Sequence, residues 1–255
     1  MIPKVIHYCW FGGKPLSRLN QKCVDSWKHF LPDYEIKEWN EDNFDVNIVP
    51  YTQEAYQAKR WAFVSDYARF WIIYNHGGIY FDTDVEIVKP IEDIIDAGDF
   101  MGCETSASEI TPFFVNPGLG FACHKGNKSI GELLKLYSTL HFVQDGKLNL
   151  TSIVYYTSDY LLRSGAKKID EIQLVNDILI YPKRYFNPWN DNEGKFKLVE
   201  ETRTIHHFAG SWFTPKERLM QCVEKNFGQL GVRIIHNIYI YLKNIKSCLK
   251  IAYNK

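Results

Sequence analysis

The sequence predicts an α/β fold in one large domain. Short apolar stretches typical of buried strands, at 5–10, 34–39 and 79–81, alternate with amphipathic helical patterns at 17–30 and 54–75. Such alternation is characteristic of β-α-β units, in which helices cover a central sheet. The chain has 255 residues and a hydrophobic content of 45%, which is enough for a sizeable core. No internal repeat, low-complexity tract or linker divides it.

The elements that follow the third strand are shorter and more mixed. We expect a short helix at 91–95 and a strand at 99–104. Further along, the pattern predicts helices at 128–140 and 153–162 and strands at 178–181 and 204–208. We therefore predict a single domain over residues 1–230.

The last segment, residues 231–255, differs in composition from the rest. Its apolar residues recur at helical spacing, its opposite side carries lysines, and it contains no acidic residue. A basic amphipathic helix of this kind can lie on an anionic membrane surface. It can equally pack against the domain with a solvated polar face, so both interpretations remain open.

Composition and charge narrow the classes of function. Lys and Arg total 30 and Asp and Glu total 30, so there is no global positive field and we expect no nucleic-acid partner. The six cysteines include no close-spaced pair, which argues against a zinc motif. No secretory signal precedes the first strand and no stretch could span a bilayer, so we expect a cytoplasmic protein with reduced thiols.

The most informative run of residues joins the strongest helix to two acidic side chains. Gly77-Gly78 permits a tight turn, residues 79–81 form a short apolar strand, and Asp82 and Asp84 follow. Residues two apart on extended backbone point the same way, so these carboxylates should converge on one ligand. Paired carboxylates repel each other, and hard oxygen ligands favour Mg²⁺, Mn²⁺ or Ca²⁺. A plain surface turn is the alternative, but the flanking glycines and apolar strand favour a ligand site.

Other polar residues are candidates for the same site. Asp66 and Arg69 lie three apart on one helical face, either as a surface ion pair or lining the same cleft as Asp82 and Asp84. Asn116 precedes a Pro-Gly turn, where it either forms the turn or contacts a sugar hydroxyl. His207 is either a third metal ligand, since imidazole suits Mn²⁺, or a structural histidine.

Four segments together resemble glycosyltransferase family 32, the group with the so-called DXD motif, whose core is similar to the glucosyltransferase domains of large clostridial toxins. The segments are residues 2–13, 65–69, 77–85 and 207–212. The resemblance implies a GT-A fold with a mixed central sheet, a Rossmann-like nucleotide-sugar half at 1–90, an acceptor half at 91–230 and C-terminal helices. It also implies Mn²⁺ or Mg²⁺, a nucleotide sugar and retention at the anomeric carbon.

The resemblance also implies roles for individual positions. Trp10 corresponds to the aromatic residue that stacks on the base, and Asp84 to the direct metal ligand, with Asp82 and His207 as further ligands. The residues expected to carry catalysis are Asp82, Asp84 and Arg69. The residues expected to contact the donor are Trp10, Ser65, Asp66, Arg69, Tyr80, Asp82, Asn116, Ser211 and Trp212.

The function predicted from this resemblance is transfer of a hexose from UDP-galactose or UDP-glucose to a saccharide hydroxyl, on a lipid-linked capsule or lipopolysaccharide precursor. The sequence places no acidic residue where a carboxylate nucleophile would be needed, so we expect front-face attack by the acceptor hydroxyl. The alternatives are a phosphatase of the haloacid dehalogenase type, which requires Thr or Val where this chain has Glu86, and a non-enzymatic carbohydrate-binding module.

Overall fold

The computed structural model describes residues 1–105, 112–190 and 193–210. Met1–Phe208 forms one compact unit. Three of the expectations above, Ser211, Trp212 and the amphipathic helix at 231–255, lie outside the described residues, as does the predicted boundary at residue 230. Within the described ranges, no helix combines the length and the apolar character needed to cross a membrane.

The described part of the chain alternates helices and short strands. Its helices are α1 (Arg18–Phe30), α2 (Pro50–Gln57), α3 (Trp61–His76), α4 (Glu92–Ala97), α5 (Lys128–Ser138), α6 (Ile153–Arg163) and α7 (Lys183–Phe186). Its strands are β1 (Val5–Cys9), β2 (Glu35–Trp39), β3 (Gly78–Tyr80), β4 (Val85–Ile87), β5 (Phe100–Gly102), β6 (Phe121–Cys123), β7 (Val143–Gln144), β8 (Lys147–Leu148), β9 (Gln173–Val175), β10 (Ile178–Tyr181), β11 (Trp189–Asn190), β12 (Lys195–Phe196) and β13 (Thr204–His206).

A seven-stranded mixed sheet forms the centre of the unit, with the strand order β2-β1-β3-β6-β5-β10-β9. Strand β1 is parallel to β2 and β3, and β10 is parallel to β5, whereas β6 runs antiparallel to both of its neighbours. The predicted α/β class with a mixed central sheet is confirmed. A separate two-stranded sheet joins β4 and β13, and it brings the end of the described chain back to the segment after β3.

The sheet separates two hydrophobic cores. Successive strand residues point to opposite faces, so Ile79 belongs to one core and Tyr80 to the other, and Tyr8 and Cys9 divide in the same way. Residues of α2, α3, α5 and α6 contribute to the core that contains Tyr80, and residues of α1 and α4 to the core that contains Ile79. Burial on both faces explains why these strands read as nearly continuous apolar runs.

Strand directions place one set of chain segments at a single edge of the sheet. Because β3 and β5 both run antiparallel to β6, they are parallel to each other, and β1, β2 and β10 share their direction. The residues after all five strands therefore meet at the carboxyl edge, together with the segment that leads into β6. Ligands bind at this edge in open α/β sheets.

The predicted helix at 54–75 is wrong in its extent, because two helices occupy this part of the chain. Helix α2 begins earlier, with Pro50 at its first position, where a proline lacks only an N–H group that the helix would not use. It ends at Gln57 because Lys59 adopts a left-handed conformation, with φ of 56°. Helix α3 then carries Asp66 and Arg69 toward the sheet edge.

The predicted turn at the paired glycines is confirmed. Helix α3 ends at His76 and is capped by Gly77, whose φ is 68°, and Gly78 follows with φ of 103°. A Cβ atom at Gly78 would lie 2.7 Å from the carbonyl oxygen of Val5. A Cβ atom at Gly77 would lie 2.8 Å from the backbone nitrogen of Lys125. Both positions therefore need glycine, because each combines a positive φ with a close approach to neighbouring backbone.

Candidate active site

Asp82 and Asp84 converge through a turn and not along an extended strand. The apolar strand ends at Tyr80, and the backbone N–H of Val85 donates to the carbonyl oxygen of Asp82 over 3.0 Å, which closes a turn across residues 82–85. The sequence prediction of convergence is therefore right in outcome but wrong in its geometric reason. The turn reverses the chain into β4, so both carboxylates stay at the carboxyl edge of the sheet.

A histidine from the far end of the described chain joins the two aspartates. Asp82, Asp84 and His206 each offer one ligand atom, and these atoms all lie within 4.8 Å of one another. His206 reaches this position because β13 pairs antiparallel with β4, opposite Val85. Two carboxylates and an imidazole form a donor set that suits Mn²⁺ and is compatible with Mg²⁺.

His206 is short of hydrogen-bonding partners. Its ring is buried, and among the described residues neither ring nitrogen makes a hydrogen bond of acceptable geometry, although Nε2 lies 3.1 Å from Oδ1 of Asp84. Burial lowers the pKa of His206, but the charge of Asp84 and its contact with the ring outweigh this effect, with smaller contributions from the charges of Asp82 and Glu104, so the pKa lies above its usual value. A buried imidazole that lies beside a carboxylate without a well-formed hydrogen bond is suited to bind a cation.

His207, the ligand predicted from the sequence, points elsewhere. Its Nε2 lies 2.8 Å from Oε2 of Glu86, which also accepts from Lys22 Nζ over 2.9 Å. Only the backbone N–H of His207 approaches the aspartates, donating to the carbonyl oxygen of Asp84 over 3.0 Å. His206 therefore lies beside the aspartate pair, whereas the His207 side chain contacts Glu86 of β4.

Arg69 forms the positive side of the site and is nearly enclosed by acceptors. Its Nη2 lies 3.1 Å from Oδ1 of Asp66 and 3.2 Å from Oδ1 of Asp82, and its Nε donates to the carbonyl oxygen of Ser65 over 3.1 Å. The guanidinium also stacks 4.9 Å from the ring centroid of Tyr80, whose hydroxyl donates to Asp82 over 3.2 Å. The predicted pairing of Asp66 with Arg69 is present, and the pair is buried instead of lying on the surface.

Electrostatics differ sharply between the members of this cluster. Burial raises the pKa of Asp66 to about 7, against the opposing effects of the Arg69 charge and a hydrogen bond from the backbone of Ile153. For Arg69, burial acts to lower the pKa, yet the charge of Asp82 outweighs it and the pKa rises. Arg69 therefore keeps its charge, whereas Asp66 exchanges a proton near neutral pH.

The loop before β6 closes against Asp82. The backbone N–H of Asp82 donates to the carbonyl oxygen of Gly118 over 3.1 Å, and any side chain at Gly118 would overlap Oδ2 of Asp82. Asn116 shapes this loop because its Oδ1 accepts from the Gly118 N–H over 2.6 Å, while its Nδ2 donates to Glu104 over 2.6 Å. Asn116 is buried and contributes the turn that was one of its two predicted roles.

The remaining predicted donor residues are near the same edge. Trp10 follows β1, is partly exposed, and donates from Nε1 to the carbonyl oxygen of Lys14. Ser65 is partly exposed on α3, and its hydroxyl donates to the carbonyl oxygen of Trp61 over 3.1 Å. Both positions leave part of the side chain open to solvent at the carboxyl edge.

Sequence reasoning missed two residues of the site, His206 and Glu104. A strand alternates its side chains, so either His206 or its neighbour could face the aspartates, and no residue pattern selected one of them. Glu104 stood at the end of a predicted strand, which was a signal of position at the carboxyl edge that was not used.

The matched family agrees with this geometry. Residues 17–101 match the model of a family described as a glycosyltransferase sugar-binding region containing a DXD motif. The matched segment runs from the start of α1 to β5, so it includes Asp66, Arg69 and the Asp82-Thr83-Asp84 turn.

Two relatives are also glycosyltransferases. An uncharacterised glycosyltransferase of Acanthamoeba polyphaga mimivirus is 26% identical over 200 residues, which is 74% of each chain. Inositol phosphoceramide mannosyltransferase 3 of Schizosaccharomyces pombe is 27% identical over 235 residues, which is 82% of this chain but only 60% of that protein.

A solved structure, that of the PaToxG glycosyltransferase, superposes with a TM-score of 0.47 and 21% identity, over 64% of this chain and 69% of that one. The family match and the two relatives, not this superposition, carry the assignment. They confirm the prediction from the sequence that this chain is a DXD-motif glycosyltransferase.

Proposed function

We propose that this glycosyltransferase moves a hexose from a UDP-sugar, with UDP-galactose or UDP-glucose as the first choices, to a hydroxyl group of a saccharide acceptor. The observation that carries the proposal is the grouping of Asp82, Asp84 and His206 within 4.8 Å, next to the Arg69 guanidinium. A leaving diphosphate requires positive charge on more than one side, and this edge offers a cation site and a fixed cation.

Asp84, Asp82 and His206 would hold the divalent ion, Mn²⁺ or Mg²⁺. The ring of buried His206 supports this assignment, because neither of its nitrogens makes a well-formed hydrogen bond among the described residues and a bound cation would satisfy one of them. When bound, the ion supplies Lewis-acid stabilisation of the negative charge that develops on the leaving diphosphate.

The chain's own residues would bind and orient the donor. Arg69 keeps a permanent positive charge, and its contacts with Asp66 and the Ser65 carbonyl fix the guanidinium plane before substrate arrives. Trp10, at the end of β1, would stack on the uracil base. Tyr80 and Arg69 fix the Asp82 carboxylate, which can then accept hydrogen bonds from hydroxyl groups of the donor.

We further propose retention by front-face attack. The bond between the anomeric carbon and the diphosphate oxygen breaks with its electron pair staying on the diphosphate, and the acceptor oxygen forms the new bond on the same face. The acceptor proton passes to the leaving diphosphate. Engagement of Asp82 with Arg69 and Tyr80 disfavours it as a nucleophile. A stable glycosyl-enzyme adduct would contradict this mechanism.

The acceptor and the donor base are open to competing assignments. The fission-yeast relative is named as a mannosyltransferase, so GDP-mannose is the rival donor. We propose a lipid-linked saccharide of capsule or lipopolysaccharide synthesis as the acceptor, reached at the cytoplasmic face of an anionic membrane. The basic pattern of residues 231–255 supports this membrane contact.

Donor hydrolysis tests the proposal without knowledge of the acceptor. Wild-type protein and Asp84→Asn are incubated with UDP-galactose, UDP-glucose, their N-acetyl analogues and GDP-mannose, with Mn²⁺, with Mg²⁺ and with chelator. We expect wild-type turnover only with a metal, and a loss of about a hundredfold or more in Asp84→Asn. Unchanged turnover in the variant would remove the metal assignment, and release of phosphate from simple phosphomonoesters would favour the phosphatase alternative.

A further inference from the structure

Glu104 stands at the carboxyl edge on a rigid backbone. It follows β5 by two residues, its N–H donates to the carbonyl oxygen of Phe114 over 2.7 Å, and its own carbonyl oxygen accepts from Asn187 Nδ2 over 2.9 Å. Because both backbone groups are bonded, the Glu104 side chain starts from a fixed point. The residue is partly exposed.

Asn116 fixes the direction of the Glu104 side chain. Its Nδ2 donates to Oε2 of Glu104 over 2.6 Å, while its Oδ1 accepts from the Gly118 N–H. Both ends of the buried amide are thus used within the chain, which leaves Asn116 poorly placed for the sugar contact that was the second of its predicted roles. Among the described residues, Asn116 is the side chain that hydrogen-bonds this carboxylate, and it engages one of the two oxygens.

Glu104 lies beside the Asp82–Asp84–His206 group and not within it. One asparagine side chain and Gly118, whose carbonyl oxygen accepts from the Asp82 N–H, separate its carboxylate from Asp82. The Glu104 oxygens are outside the set of ligand atoms that lie within 4.8 Å of one another.

A sugar attached to a metal-bound diphosphate extends from the metal site to the adjacent surface. Carboxylates accept strong hydrogen bonds from hydroxyl groups, and a carboxylate whose direction is already fixed loses little entropy on binding. We propose that Glu104 binds a hydroxyl group of the donor's hexose, and that Asn116 is the residue that positions it. This inference rests on the proposed function, because it requires a nucleotide sugar at the Asp82–Asp84–His206 group.

The test compares binding of a nucleotide with binding of the same nucleotide carrying a sugar. Titration calorimetry with Mn²⁺ measures the Kd of UDP and of UDP-glucose and UDP-galactose for wild type and Glu104→Gln. The amide oxygen of the variant can still accept from Asn116, but the charge is gone. We expect about a tenfold to hundredfold weaker Kd for the nucleotide sugar and a change of less than about twofold for UDP.

Companion variants separate binding from support of the fold. Glu104→Asp keeps the charge but shortens the side chain, and we expect an intermediate loss of nucleotide-sugar affinity. Asn116→Ala should weaken the nucleotide sugar in wild type and have a smaller effect in the Glu104→Gln background, since both changes remove one interaction. Glu132→Gln, an exposed carboxylate on α5, is the matched control and should leave both Kd values unchanged.

The outcomes are distinct. Equal weakening of UDP and the nucleotide sugar would overturn the inference and make Glu104 a structural support. Unchanged Kd values for both ligands would also overturn it, and would leave Glu104 to the acceptor side. If wild type binds neither UDP, GDP nor any of their sugars with a metal, the proposed function fails, and that result does not resemble either of the others.

Discussion

The two sides of the site differ in how completely the chain satisfies its own charges. On one side, Arg69 is surrounded by Asp66, Asp82, the Ser65 carbonyl and the Tyr80 ring, so that its donors are used within the chain. On the other side, buried His206 has no well-formed hydrogen bond within the described residues. The contacts around Arg69 fix its position within the chain, whereas the ring of His206 is suited to bind a ligand.

This contrast separates stability from function. A buried cation enclosed by acceptors contributes to a fixed geometry, and removal of it leaves uncompensated carboxylates. A buried imidazole without a well-formed hydrogen bond costs stability in the free protein, and a ligand bound to one of its nitrogens would account for it. Asp82 belongs to both groups, because it pairs with Arg69 and also lies beside Asp84 and His206 in the candidate metal site.

The largest effect is expected from removal of the fixed cation. Arg69→Met keeps an unbranched apolar stem but removes the charged group that Asp66 and Asp82 share, and Asp66 is buried. We expect a loss of about 3–5 kcal/mol in the free energy of unfolding, measured by urea denaturation.

The matched control is Arg163→Met on α6. Arg163 also pairs with an aspartate, Asp159, at 3.0 Å, but both side chains are exposed. We expect a change within about 0.5 kcal/mol, because exposed ion pairs contribute little. Similar losses in the two variants would show that the enclosed arrangement around Arg69 is not special.

A second prediction concerns Asp66, the buried carboxylate that pairs with Arg69. The folded-state pKa of Asp66 is about 7, above its ordinary value of 3.8, so between these values the native state binds more protons than the unfolded state. Stability contributed by this proton is therefore present at low pH and is lost as pH rises toward 7. Asp66→Asn should remove this fall, which amounts to about 2–4 kcal/mol.

The measurement is the free energy of unfolding at pH 4.5, 6 and 8 for wild type and Asp66→Asn. The difference between the two proteins isolates Asp66 from the other titrating groups. A difference that stays constant with pH would mean that Arg69 keeps Asp66 ionised throughout this range.

The sequence was sufficient to predict the fold class and the pairing of Asp66 with Arg69. The β-α-β opening, the paired glycines and the three-residue spacing of Asp66 and Arg69 are local patterns, and local geometry enforces them. The break between α2 and α3 was not predicted, because it depends on Lys59 adopting a left-handed conformation for which this residue type gives no signal.

The positions of His206 and Glu104 depend on contacts between residues that are distant in the sequence. His206 meets Asp84 through the pairing of β13 with β4, and a shift of one residue in that register would have presented His207 instead. Glu104 meets Asn116 through a loop that returns to the end of β5. Periodicity within a segment cannot specify such register, so the sequence named the right region and the wrong histidine as neighbour of the aspartates.

The smallest expected effect is the one that sharpens the contrast most directly. His206→Gln removes the imidazole that lies among the proposed ligand atoms, and we expect the affinity for Mn²⁺ to fall at least about tenfold. His207→Gln changes a side chain that contacts Glu86, while its bond to the Asp84 carbonyl comes from the backbone and survives the substitution. We therefore expect a change of less than about threefold in His207→Gln. Titration of the free protein with Mn²⁺, followed by the loss of the free-ion electron paramagnetic resonance signal, measures both without any substrate. If His207→Gln loses more affinity for Mn²⁺ than His206→Gln, the ligand is His207, as predicted from the sequence, and the assignment of His206 is wrong.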